Sequence, residues 1–148
     1  MSAKQAKKER KEKKENETEK EKIERWNKAS QFQLTKPFGP TFGFIQMPDE
    51  VLRKLIKLSD EVLEDPDRVD WGKNLVGQVA EEPWVSNEAL EEAGVYQYIN
   101  NMLYNYVYNT LTQEGHRIKQ LSVHLDHMWM VSQHENEYNP IHFHTYCD

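Results

Sequence analysis

The stretch "IKQLSVHLDHMWMVSQ", Ile118–Gln133, decides how this chain is read. Leu121, Val123, Leu125, Trp129 and Val131 alternate with Ser122, His124, Asp126 and Ser132. Side chains along an extended strand point to opposite faces in turn. A period of two therefore predicts one long strand here, or two strands meeting at Asp126–His127. The "HENEYNP" that follows, residues 134–140, reads as a polar turn, and "IHFHTY", residues 141–146, as the start of another strand.

Working upstream, "EALEEAGVYQYINNMLYNYVYNTLTQEG" predicts a long helix capped by Ser86 or Asn87. Tyr98, Met102, Tyr106 and Leu111 fall on one face, broadened by Tyr96, Leu103, Val107 and Thr110. Gly94 is placed to break or kink it, and Gly115 to end it. An earlier helix is expected over "EVLRKLIKLSDEVLE", with Asp49 as N-cap. Val51, Leu52, Leu55, Ile56, Leu58 and Val62 make its apolar stripe, and Pro66 stops it near Asp65. Between these helices the chain reads as irregular, with one short strand at "NLVGQV", residues 74–79. Before the first helix, "KPFGPTFGFIQMP" is too rich in Pro and Gly to be helical and suggests a short strand through Phe42, Phe44, Ile45 and Met47.

The first 25 residues contain ten Lys/Arg and seven Glu, a net of +3 on a stretch whose one large aliphatic residue is Ile23. Such a segment buries too little apolar surface to offset its chain entropy. Residues 1–29 are expected to be a charged disordered or helical tail, and residues 30–148 the folded part. The tail reads as a solubilising extension, or as a tether for an acidic partner. Since the chain totals −6, residues 26–148 carry −9, which argues against broad nucleic-acid binding. A single cysteine, Cys147, permits no internal disulfide and suits a reducing compartment. There is no secretory h-region and no apolar run long enough to span a membrane, so a cytoplasmic protein is expected. Helices first and strands in a run imply an α+β arrangement. Two or three short strands close no sheet, so the β-domain is expected to be incomplete in this chain.

All six histidines lie between residues 116 and 144. His142 and His144 are spaced i, i+2, which on a strand puts both on one face about 6.6–6.8 Å apart at the backbone. Two imidazoles so placed can converge on one metal ion, or can be ordinary polar residues on a sheet. Pro140, which has no N–H to donate, marks that strand's first residue or its edge. His124 and Asp126 share the same spacing, but point away from the Leu121–Val123–Leu125 face. Cys147 and the terminal Asp148 are further donors by type.

The segment "MWMVSQHENEYNPIHFHTYCD" resembles the 2-oxoglutarate- and iron-dependent oxygenases found in marine bacteriophage genomes, in which an Asn-Pro-x-His-x-His turn-strand opens a double-stranded β-helix. Phe38–Pro40, "MPDEVLRKLI" and Asn74–Val79 are loosely similar to the N-terminal pattern of that family, so the likeness spans residues 36–148. It implies N-terminal helices packed against the start of a jelly-roll, or cupin-like, β-helix. It also implies an Fe(II) centre with 2-oxoglutarate as co-substrate and hydroxylase activity when full length. His142 would be the first metal ligand. His144 stands where related oxygenases carry a carboxylate, so either it ligates or Asp148 supplies the carboxylate. Trp129 and Asn139 would line the cofactor site. The remaining histidine and the basic residue that pairs with 2-oxoglutarate belong to later strands, so this chain alone is expected to be inactive. Two other readings compete: a non-catalytic cupin-like module that binds a metal or small molecule, and an interaction protein acting through its tail.

Overall fold

A computed structural model describes residues 17–37, 39, 41–72 and 77–140. Among them the chain is mixed α+β, with four helices and two small antiparallel sheets and no closed barrel. It divides into two compact units, residues 1–49 with 97–124 and residues 50–96 with 125–148. No helix of the described residues is long and apolar enough to cross a membrane.

In the first unit, helix α1 (Glu19–Ala29) begins at a capping box. The Thr18 hydroxyl accepts from Glu21 N–H at 3.3 Å, and the Glu21 carboxylate accepts from Thr18 N–H at 2.9 Å. The stretch read as a tail is therefore helical over its last eleven residues. The helix is held by Trp26, which is fully buried and meets the Tyr98 ring edge-on at 5.9 Å. Beside that pair, the buried Ser30 hydroxyl lies 2.6 Å from the Tyr98 hydroxyl and donates to Gln46 O at 3.3 Å. Burial raises the Tyr98 pKa, with the Ser30 contact partly opposing it, so the phenol stays a donor. Strands β1 (Gln33–Thr35) and β2 (Phe42–Phe44) pair as a short hairpin. The helix that packs on it ends at Gly115, φ 83°, where Gly115 N–H reaches Thr112 O and His116 N–H reaches Leu111 O.

In the second unit, helix α2 (Asp49–Glu64) stops just before the Asp65–Pro66 step. Its stripe is narrower than the sequence suggests. Val51 and Leu58 are buried and Leu55 and Val62 half-buried, whereas Leu52 and Ile56 are exposed. The expected long helix is two helices. Ser86 caps α3 (Asn87–Glu92) through Ala89 N–H, and Gly94, φ 65°, ends it with Gly94 N–H on Glu91 O and Val95 N–H on Leu90 O. The chain re-enters a helix at Tyr96 as α4 (Tyr96–Gln113), which from Gln97 onward belongs to the first unit.

The long strand expected over Ile118–Gln133 is not formed. Only Met128–Trp129 is a strand (β4), paired with Trp84–Val85 (β3). Residues 121–126 do keep the alternation, half-buried at Leu121, Val123 and Leu125 and exposed between. Alternating burial is necessary for a strand but not sufficient, because a strand also needs a neighbour's backbone donors and acceptors. Of the strand expected at Asn74–Val79, residues 74–76 lie outside the described residues, and Gln78 makes one bridge. The strand expected from Ile141 lies outside them entirely.

Candidate functional site

Backbone hydrogen bonds build the second unit's sheet beyond its named strands. Trp84 N–H donates to Val69 O at 2.9 Å and Trp71 N–H to Glu82 O at 3.0 Å, setting Asp70 opposite Pro83. On the other side Trp84 pairs with Trp129 and Val85 with Met128. Met130 N–H on Pro83 O and Ser132 N–H on Glu81 O, both 3.0 Å, extend the ladder. Segment 81–85 therefore runs between 69–71 and 128–132, antiparallel to both.

That register sorts the side chains, because directly opposed residues share a face. Asp70, Pro83 and Met130 form a row on one side, with Val85 and Met128 beside it. This side is covered. The Ser59 hydroxyl of α2 donates to Met130 Sδ, and an apolar cleft of about 290 Å³ is lined by Leu55, Ile56, Leu58, Val85 and Met128, and by Trp129 as well. On the opposite side Val69, Trp84 and Trp129 form one row, and Trp71, Glu82 and Val131 the next. This side is open. Trp71 is 53% exposed, Trp84 42% and Trp129 38%, and Val69 and Val131 are exposed too. The His127 ring lies 6.3 Å from Trp84, and its Nδ1 is 2.8 Å from the Asp126 carboxylate. Among these exposed groups Glu82 is only 5% exposed, and its Oε2 has no hydrogen-bond partner among the described residues.

Asp70 locks the edge of the sheet. Its Oδ1 accepts from Gly72 N–H and Glu82 N–H, each at 2.9 Å, and Arg68 Nε approaches Oδ2 at 3.4 Å. Partial burial pulls its pKa up. The Glu82 and Gly72 amides and the Arg68 guanidinium outweigh that and hold it below the ordinary carboxylate value. Arg68 also reaches the Glu81 carboxylate at 2.9 Å and donates to Leu63 O.

Farther along, Gln78 and Tyr138 exchange both backbone hydrogen bonds, at 2.9 and 3.1 Å. Between the Glu81–Ser132 pair and the Gln78–Tyr138 pair, the inner strand advances three residues and the outer one six. The excess is looped out at 134–137, where Asn136 takes φ 69° and Glu137 N–H closes on His134 O at 3.1 Å. Asparagine tolerates that left-handed backbone. The segment "HENEYNP" is thus an outward bulge that returns the chain to the same ladder rather than a link to a new one. Gly77 makes the fit possible: a Cβ there would lie 2.7 Å from Tyr138 O and 2.9 Å from Pro140 Cδ.

Of the residues singled out by sequence, Trp129 lies on the open face, and Asn139 is half-buried just past the Gln78–Tyr138 pair. His142, His144, Cys147 and Asp148 fall outside the described residues. His124 is exposed, with Nε2 2.7 Å from the Ser122 hydroxyl, and Asp126 is exposed. His134 Nε2 lies 3.8 Å from the Glu81 carboxylate. Among the described residues no three His, Cys, Asp or Glu side chains are grouped to hold a metal ion. Sequence reasoning missed Trp71, Trp84 and Glu82. The available signal was the spacing of "VDW" and "EPW", each placing a tryptophan at the end of a short run flanked by turn residues. Comparison with protein-family models, curated proteins and solved structures returns no match.

Proposed function

We propose that the chain is the N-terminal part of an Fe(II)- and 2-oxoglutarate-dependent dioxygenase whose sheet is the start of a double-stranded β-helix. One observation carries this reading: the ladder does not end at the polar loop but resumes at Tyr138, immediately before Asn139–Pro140. Tyr138 opposes Gln78, and both side chains are exposed.

On this reading His142 holds iron, with His144 or Asp148 as second donor, and Trp129 and Asn139 border the cofactor. Two imidazoles and a carboxylate suit non-haem iron and leave positions for 2-oxoglutarate and O₂. Iron would supply oxygen activation coupled to oxidative decarboxylation of 2-oxoglutarate and hydroxylation of a C–H bond. What supports the reading is local: Gly77 and the Gln78–Tyr138 pair hold the chain up to Asn139–Pro140, the residues that precede the His-x-His motif in sequence. The test is Fe(II)-dependent conversion of 2-oxoglutarate to succinate by the full-length protein. Conversion that His142→Ala abolishes is expected. Conversion unchanged in His142→Ala, or none in the full-length protein with iron supplied, overturns the proposal.

The competing reading, a non-catalytic binding module, draws support from the open tryptophan face, which presents recognition chemistry without needing a metal.

A further inference from the structure

We propose that the cleft between β1 and α4 in the first unit binds the adenine base of an uncharged nucleoside. The inference is independent of the oxygenase reading and does not need iron. It begins with the core-facing stripe of α4, on which Tyr98 and Met102 are buried. The next positions on that stripe, at helical spacing, are Asn105, Asn109 and Gln113. Three carboxamides thus stand where apolar side chains would continue the core. They line a cleft of about 320 Å³. Its other wall is apolar, formed by Phe32 and Leu34, which share one side of the extended chain at β1. Positions that break a local rule without a packing gain are the ones expected at a binding site.

Both ends of the cleft are fastened. At one end the buried Ser30 hydroxyl lies 2.6 Å from the Tyr98 hydroxyl. At the other, Lys36 Nζ donates to the Glu114 carboxylate at 2.6 Å, tying the residue after β1 to the residue after α4. The segment from Ser30 to Lys36 therefore runs alongside α4 in the same direction. Phe32 is backed by the Tyr106 ring at 5.9 Å, and the Tyr106 hydroxyl donates to Thr41 O at 2.6 Å.

The lining chooses the ligand. It carries no charged side chain, so it provides for neither a phosphate nor a cation. A sugar ring presents hydroxyls around its whole rim, and the Phe32–Leu34 wall offers them no partner. A nucleobase instead has a flat face for the aromatic wall and a polar edge for the amides. A carboxamide sets one acceptor beside one donor, which meets the N6–N7 edge of adenine with two hydrogen bonds. Guanine presents two acceptors at O6 and N7, which one carboxamide meets only in part.

The experiment is calorimetric titration of the full 148-residue chain with adenosine. Parallel titrations use guanosine and methyl glucoside. Saturable adenosine binding is expected, with at least tenfold weaker binding of both comparison compounds. Asn105→Leu and Asn109→Leu remove an amide and extend the apolar stripe, and Phe32→Leu keeps the bulk and removes the ring. Each is expected to weaken adenosine at least fivefold while circular dichroism stays that of the parent, with the two asparagine variants melting no lower than the parent. No saturable adenosine binding overturns the proposal. So does equal binding of guanosine, tighter binding of the glucoside, or indifference of adenosine binding to all three variants.

Discussion

Replacing Gly77 with alanine tests whether the ladder truly continues to Asn139–Pro140. Gly77 does not occupy the left-handed region, so at an open position the change would stabilise the protein by about 0.4–1 kcal/mol through the unfolded chain. Here the added Cβ would sit 2.7 Å from Tyr138 O, a backbone atom that already accepts from Gln78 N–H at 2.9 Å. Ordinary contact begins near 3.4 Å, so the carbonyl must retreat by several tenths of an ångström and weaken that hydrogen bond. Overpacking of this kind costs about 1–3 kcal/mol, and a weakened ladder bond adds up to about 1 kcal/mol. After subtracting the chain-entropy gain, a net loss of roughly 1–2 kcal/mol is expected. Urea denaturation gives the total. Native-state hydrogen exchange at the Gln78 and Tyr138 amides gives the location, with the Trp71 and Trp84 amides as internal controls. A variant as stable as the parent or more so, with unchanged exchange at Gln78 and Tyr138, would refute the claim that the bulge returns the chain to this ladder.

Two further outcomes rest on single polar contacts. Asp70→Ala should cost about 1–3 kcal/mol because it strands the Gly72 and Glu82 amides, whereas Asp70→Asn keeps an acceptor and should cost less. Because the folded pKa of Asp70 is depressed, its stabilisation is present above the unfolded value near 3.9 and is lost as pH falls through the lower folded value. The stability gap between parent and Asp70→Asn in urea melts should therefore be flat near neutrality and close in acid below about pH 4. Ser30→Ala leaves the Tyr98 hydroxyl buried without that neighbour and should cost about 1–3 kcal/mol. Tyr98→Phe leaves Ser30 still able to donate to Gln46 O and should cost about 0.5–1.5 kcal/mol, with the double variant losing less than the sum.

Local signals were readable in the sequence. Pro66 set the end of α2, Ser86 the start of α3, and Gly94 and Gly115 the two helix stops, because each acts through the backbone of its own few residues. The Thr18–Glu21 capping box was equally local and would have placed α1 inside the charged stretch, with Trp26 as its anchor. Pairing was not readable in the same way. The row Val69–Trp84–Trp129 joins segments 15 and 45 residues apart in sequence, and no periodicity within either segment states its register with the others. That is why Trp129 was singled out while Trp71, Trp84 and Glu82 were passed over. The alternation over 121–126 misled for a related reason: it reports which side is covered, not whether a neighbouring backbone is present to complete a strand. Of the proposed site, the His-x-His spacing was plain from the sequence. The bulge at 134–137 that brings the chain back to Gln78 depends on Gly77 and Asn136 and became visible only in the structure.

The central claim, that His142 holds iron, is tested most directly by anaerobic Fe(II) binding to the full-length protein in the presence of 2-oxoglutarate, comparing that parent with its His142→Ala variant. The account predicts one equivalent of Fe(II) bound by the parent, with the visible charge-transfer absorption of an Fe(II)–2-oxoglutarate chelate. His142→Ala should bind at least tenfold more weakly, about 1.4 kcal/mol, and lose that absorption. Equal iron affinity and an unchanged spectrum in His142→Ala would contradict it.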